Sequence, residues 1–276
     1  MSKIIAFTNQ KGGVGKTTSC VNLSAYIAVM GKKVLIVDLD PQGNATSGVG
    51  IEKYKGLKTI YDLVDGECAL EDVVLPTVIE GLDIIPSTVD LAAAEISLVS
   101  MPQREKILKG ILDPLKQVYD FIMIDCQPSL GLLTVNALTA ADSVIIPMQC
   151  EFYALDGLTQ LMNTIRLVKF HLNPSLDIEG VVRTMKDNRS NLVNQVSQEI
   201  LKFFKSKVFS TYIPRNVRLA EAPSHGLPIV LYDPASKGAE AYLSLAEEFL
   251  DRNKVSYKII TKNTKINKRE IKKNGN

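Results

Sequence analysis

A chain of 276 residues, 46% hydrophobic and 22% charged, has the length and composition to bury a large core, which excludes a mostly disordered protein. The net charge of +2 conceals a division: residues 254–276 carry +7, while residues 1–253 carry −5 despite a local +6 over residues 180–220. Such polarity fits a basic face that meets a polyanion, or a solvated basic helix face. Only four apolar residues follow Lys3 before Thr8, too few for a signal-peptide core, and no later apolar run is long enough to span a bilayer, so a cytoplasmic location is expected. Cys20, Cys68, Cys126 and Cys150 lie far apart without C-x-x-C spacing, which argues for buried thiols rather than a zinc site or a disulfide framework.

In chain order, Ile4–Phe7 reads as a buried strand, and Cys20, Leu23, Ile27 and Met30 recur at helical spacing. Between them lies Gln10-Lys11-Gly12-Gly13-Val14-Gly15-Lys16-Thr17-Thr18, a glycine loop where a strand turns into a helix. Glycines allow positive φ and let backbone N–H groups curl inward, and the helix adds its positive end, so residues 12–18 form a cradle for phosphate. Lys16 is placed for the β- and γ-phosphates and the Thr17 hydroxyl for Mg²⁺. The plain pattern G-x-x-x-x-G-K-[ST] asks for glycine where Gln10 stands; this chain has K-G-G-x-G-K-T, with an extra lysine, Lys11, five residues before Lys16.

A second strand, Val34–Val37, runs into Asp38-Leu39-Asp40-Pro41, which places carboxylates at the strand end where open parallel sheets hold their ligands. Residues 42–48 read as a small polar loop that moves with nucleotide state. A short helix at 60–64, a strand at 82–86 and helical patterning from Leu91 to Val118, interrupted by Pro102, read as scaffold. Phe121-Ile122-Met123-Ile124-Asp125 is an apolar strand ending in a candidate Mg²⁺-holding carboxylate, with a second switch loop at 126–131. Strands at 143–147, 178–184 and 208–211 alternate with helices at 154–171, 191–204 and 239–250, giving a single doubly wound, mostly parallel α/β sheet with helices on both faces. That domain spans residues 1–251; residues 252–276, rich in Lys and Asn, are expected to be a basic, disordered tail.

The strings K-G-G-V-G-K-T-T, D-L-D-P-Q-G-N-A-T-S-G, D-C-x-P-S-L-G and I-P-R-N-V-R-L-A-E-A-P-S-H-G together resemble the ParA/MinD family of deviant Walker A ATPases, closest to its chromosomal ParA (Soj-type) branch, over residues 1 to about 250. The resemblance implies an ATP-dependent homodimer that encloses two ATP molecules with Mg²⁺, binds DNA without sequence preference, and is stimulated to hydrolyse by a ParB-type partner. It makes Lys11 the lysine that crosses the dimer, puts Gly12 at the tight dimer contact, and has Gly13, Val14, Gly15, Lys16, Thr17 and Thr18 hold phosphate. It also has Asp40 position the attacking water and Asp125 act as the Walker B acid. Pro214 and Asn216 then frame the adenine, and Arg189 and Arg218 meet DNA or are ordinary surface residues. For Asp38 it leaves catalysis or a hydrogen-bonding role that holds the glycine loop.

Three features depart from that family. Gln127 stands where its loop usually has Pro, and is expected to add a hydrogen bond near the nucleotide. Lys186 and Asn188 make the surroundings of Arg189 more polar, and the tail lies outside the resemblance. A MinD-like membrane ATPase shares the nucleotide machinery but needs a C-terminal amphipathic helix, and the tail's Val255, Tyr257, Ile259, Ile260, Ile266 and Ile271 form no single helical stripe. An iron–sulfur reductase or a dethiobiotin-synthetase-like enzyme are further options on the same fold. Thr184-Met185-Lys186-Asp187 lacks the [NT]-K-x-D spacing of guanine recognition, which favours adenine.

Overall fold

The computed structural model describes residues 2–151, 154–187, 189–260 and 266–269, with the side chains of 154–157 excepted. Its centre is one sheet of eight strands: β1 (Lys3–Phe7), β2 (Val34–Leu39), β3 (Leu75–Pro76), β4 (Leu82–Ile85), β5 (Phe121–Cys126), β6 (Ser143–Gln149), β7 (Asp177–Lys186) and β8 (Val208–Pro214). The order across the sheet is β3-β4-β2-β5-β1-β6-β7-β8, and only β3, a two-residue edge strand, runs antiparallel.

Alternation along the central strands divides the core in two. Ile4, Ala6, Leu35, Val37, Ile122 and Ile124 face one layer, while Ile5, Phe7, Val34, Ile36, Phe121 and Met123 face the other. Because both faces are covered, these strands read in sequence as unbroken apolar runs rather than as alternating ones. On the second face, α1 (Lys16–Val29) is buried along nearly its whole length between the sheet and a C-terminal helix, so its apolar residues lie all round it, interspersed with the buried polar Ser19, Asn22 and Ser24, rather than on one stripe.

The remaining helices are α2 (Asn44–Gly48), α3 (Ile60–Asp65), α4 (Ala94–Ser97), α5 (Ile107–Leu112), α6 (Leu132–Ala140), α7 (Ala154–His171), α8 (Asn191–Phe204), α9 (Val217–Glu221), α10 (Ile229–Tyr232) and α11 (Lys237–Arg252). Most begin where the sequence pattern places them. Two regions differ. The stretch from 89 to 117 is a chain of 3₁₀ turns around α4 and α5, because Pro102 and Pro114 deny any long helix its hydrogen bonds. The polar loop at 42–48 contains α2, held by contacts described below.

The tail departs from the expected disorder wherever it is described. Residues 253–260 and 266–269 run beneath the sheet: the Lys258 N–H donates to the Met30 carbonyl (3.1 Å), the Arg269 N–H donates to Val78 (2.9 Å), and the Arg269 guanidinium meets Asp83 (2.6 Å). Val255, Tyr257, Ile260 and Ile266 pack on the second core layer, which supplies the apolar burial that lysine-rich composition concealed. Residues 261–265 and 270–276, like Asn188, lie outside the described residues. Ending the chain after Lys254 is therefore expected to lower the melting temperature by about 3–8 °C. A calorimetric scan that leaves it within 1 °C contradicts a structural role for this segment.

Candidate active site

All the loops that carry chemistry leave the same edge of the sheet. The register sets Asp38 of β2 beside Asp125 of β5, and Asp125 beside Phe7 of β1, so the two acids and the start of the glycine loop share one level. Open parallel sheets bind ligands beyond this carboxyl edge.

The loop itself is built for an anion. Gly13 and Gly15 sit at φ 73° and 88°, a left-handed region in which a side chain is strained, and Gly15 leads directly into α1 without any side-chain cap. The first N–H groups of α1 thus lack a capping side chain and point toward the loop's hollow. Thr184 at the end of β7 fixes the loop by donating its hydroxyl to the Val14 carbonyl (2.7 Å), and Asn9 anchors its start by donating to Pro147 (2.8 Å).

Lys16 is buried, and its ammonium donates to the Lys11 carbonyl (3.0 Å), folding back over the loop. Burial lowers its pKa, while Asp125, Cys126 and Asp40 pull the other way. Lys11 lies on the rim and pairs with Glu151 of its own chain, just after β6. At 43% and 36% side-chain exposure this pair is worth about 0–1 kcal/mol, little obstacle to the lysine finding another anion. Glu151 was not singled out by any sequence pattern.

Three acids do different things. Asp38, fully buried, accepts from both the backbone N–H (2.8 Å) and the hydroxyl (2.7 Å) of Thr46. It therefore holds α2, in the polar loop after β2, and not the glycine loop. Desolvation raises its pKa to about 6, with the Thr46 hydrogen bonds opposing the rise. The charged form thus costs stability above pH 6, and the cost is relieved as pH falls from about 6 toward the ordinary value near 4. Asp40 is mostly buried and accepts from the Gln42 N–H (2.9 Å), at the turn into α2.

Asp125 is fully buried, and among the described residues no donor meets either carboxylate oxygen in good hydrogen-bond geometry, the Thr17 hydroxyl being near but not in place. Desolvation and then Asp38 raise its pKa well above the ordinary value, while Thr17 and Lys16 oppose the rise. A buried, unpartnered carboxylate is costly unless a cation or water completes it. Among the described residues no three His, Cys, Asp or Glu side chains gather as a protein-only metal cage. A carboxylate and a hydroxyl, completed by phosphate oxygens and water, is instead the donor set that Mg²⁺ takes in nucleotide sites.

Beside the loop lies a cavity of about 390 Å³ lined by Gly15, Thr18, Met185, Pro214, Asn216 and Val217, of a size suited to a planar base. Asn216 caps α9 by accepting from the Leu219 N–H (3.3 Å). Met185, in the left-handed region at φ 48°, was missed in the sequence; its position at the end of β7, next to the anchoring Thr184, is the signal that could have found it.

Arg189 and Arg218 are not brought together within one chain. Arg189, 90% exposed, forks onto Asp187, and Arg218 pairs with Glu221 and Asp233. A second concavity of about 700 Å³ is lined by Arg189, Lys186, Arg215 and Lys237 together with Asp187, Glu240 and Tyr212. The Gln127 amide, expected near the nucleotide, donates instead to Glu95 (2.8 Å). No helix among the described residues is long and apolar enough to cross a membrane, and none beyond Arg252 is helical.

A lysine-bearing glycine loop between the central strand and a buried helix, with acids ending the two strands alongside, is the arrangement of P-loop nucleoside triphosphatases. A family described as an AAA domain matches residues 2–178. The sporulation initiation inhibitor protein Soj of Bacillus subtilis (strain 168) is 61% identical over 248 residues, 90% of this chain and 98% of that protein. The chromosome partitioning protein ParA of Myxococcus xanthus (strain DK1622) is 51% identical over 253 residues, 92% and 89% of the two chains. Among solved structures, cobyrinic acid a,c-diamide synthase from Mycobacterium smegmatis, with bound ATP analog and magnesium, superposes with a TM-score of 0.81 at 34% identity, covering 95% of this chain and 100% of that one. The chain belongs to the ParA/MinD family of ATPases, in its Soj-type chromosome-partitioning branch.

Proposed function

We propose that this protein is a nucleoid-associated, cytoplasmic ATPase that pairs with a second copy around two ATP molecules, binds DNA without sequence preference in that state, and lets go on hydrolysis. A ParB-type partner stimulates the hydrolysis, and chromosome or plasmid segregation is the outcome. The observation that carries the nucleotide half of this reading is the buried, unpartnered carboxylate of Asp125 across from Lys16 and Thr17. Its chemistry calls for a cation, and its neighbours are those of a phosphate cradle.

In this reading the backbone of Gly12, Gly13, Val14 and Gly15 and the start of α1 at Lys16, Thr17 and Thr18 hold the phosphates, and Pro214 and Asn216 frame adenine. Thr17 and Asp125 would hold Mg²⁺, which would supply positive charge to the phosphate during transfer. Asp40 accepts a hydrogen bond from the attacking water and orients it. Lys11 leaves Glu151 to meet the partner copy's phosphate, and Gly12, beside which even an added Cβ meets nothing, leaves room for a close approach of the two copies. Coupling follows: a charge supplied from the second copy makes hydrolysis depend on pairing.

The DNA half rests on the names of the relatives and on the basic concavity beside Arg189. Arg189 and Arg218 exchange their own-chain carboxylates for phosphates, which a screened, exposed ion pair permits. Replacing both by alanine is expected to reduce the slope of log affinity against log salt by about 2 per protomer, with binding of a fluorescent ATP analogue unchanged. An unchanged salt slope contradicts their contact with DNA.

A further inference from the structure

Helix α6 follows the second switch loop, yet its own sequence gives it no N-terminal cap: Gly131 has no side chain and the first turn contains no acid. The acceptor comes from elsewhere. Glu95, on α4, accepts the Leu132 N–H at 3.0 Å with one oxygen and the Leu133 N–H at 3.5 Å with the other. A carboxylate there also faces the positive end of the helix. Space for it depends on Gly131, because a Cβ at that position falls 2.5 Å from the Glu95 oxygen.

The same carboxylate accepts from the Gln127 amide at 2.8 Å. Gln127 lies two residues after Asp125, and Leu132 opens the helix at the other end of the loop, so Glu95 bridges both ends of residues 127–131 from outside. From the first turns of α6, Thr134 donates to the Ser129 carbonyl (2.7 Å), tying the loop to the helix. The loop's position relative to Asp125 is thus referred to a separate piece of the fold.

We propose that Glu95 is a positioning residue for ATP hydrolysis. Through Gln127 and the N-terminus of α6 it sets the loop that carries Asp125's surroundings, and Gln127 is the donor through which this chain tightens the arrangement. The assignment rests on the reading of Asp125 and of this loop given above. Glu95 touches no reacting atom in it; it acts by fixing where the loop stands.

Two measurements test it. Amide hydrogen exchange of the full chain reports the cap directly, without any turnover: Glu95→Ala is expected to speed exchange at Leu132 and Leu133 about fivefold or more, with the core strands unchanged. Steady-state hydrolysis reports the positioning: Glu95→Ala and Gln127→Ala are each expected to lower kcat about three- to tenfold while KM for Mg-ATP stays within about twofold. The double variant is expected to match Glu95→Ala rather than the product of the two losses. Unchanged exchange at Leu132 and Leu133 overturns the capping role, and multiplicative losses, or a rise in KM with kcat preserved, overturn the positioning role. Should no variant and no parent chain hydrolyse ATP, the reading of Asp125 fails, while the exchange result still decides whether Glu95 holds the loop.

Discussion

Lys16→Ala is expected to lower ATP hydrolysis by about 10³-fold or more and to weaken nucleotide binding at least about tenfold, the largest effect of any single change in this protein. The ammonium is buried against the glycine loop and donates to the Lys11 carbonyl, so a phosphate entering the cradle meets it already in place. Removing one preorganised donor aimed at developing charge costs about 10²–10³ in rate, and here the same group also serves ground-state binding. Lys11→Ala provides the contrast. Its side chain sits on the rim and, among the described residues, pairs with Glu151, so binding of nucleotide by single chains is expected to persist. In the proposed pairing, hydrolysis is expected to fall about 10²–10³-fold, because a charge supplied to the second copy would be lost. Calorimetric titration with a non-hydrolysable ATP analogue separates the two; equal loss of binding in both variants contradicts the division of labour.

Asp40→Ala is expected to retain ATP binding and lower kcat about 10²–10³-fold, within the range of a lost water-orienting group. The geometry supports a local effect. Asp40 accepts from Gln42 at the entry to α2, whereas the connection that secures α2 belongs to Asp38 and Thr46. Consequently, Asp38→Ala is the variant that disturbs the switch segment, leaving a buried hydroxyl and N–H of Thr46 without their acceptor. An Asp40→Ala protein with normal turnover contradicts the assigned role.

The glycine loop, the two acid-tipped strands and the sheet that carries them were legible because each is local. Apolar runs mark strands covered on both faces, and the phosphate cradle is a matter of adjacent residues. What escaped the sequence is what the fold brings together from afar. Glu95 lies 37 residues from the helix it caps, and Glu151 meets Lys11 across 140 residues, so no spacing rule reaches either. Gln127 departs from the family pattern, but its partner lies on a segment that reads in sequence only as scaffold. The role of Asp38 also depended on a distant neighbour, the hydroxyl of Thr46. In the tail, composition spoke for disorder, yet a handful of apolar residues spaced without helical period suffice for an extended segment to pack beneath the sheet.

By pairing two chains, ATP is expected to create a surface for DNA. Binding of Asp40→Ala to a non-specific duplex, measured with ATP and with ADP at two salt concentrations and with liposomes as a control surface, tests this most directly. Tight binding with ATP, loss with ADP and a steep decline with salt are the predicted results. Binding that is indifferent to nucleotide, or binding to liposomes in place of DNA, would contradict it.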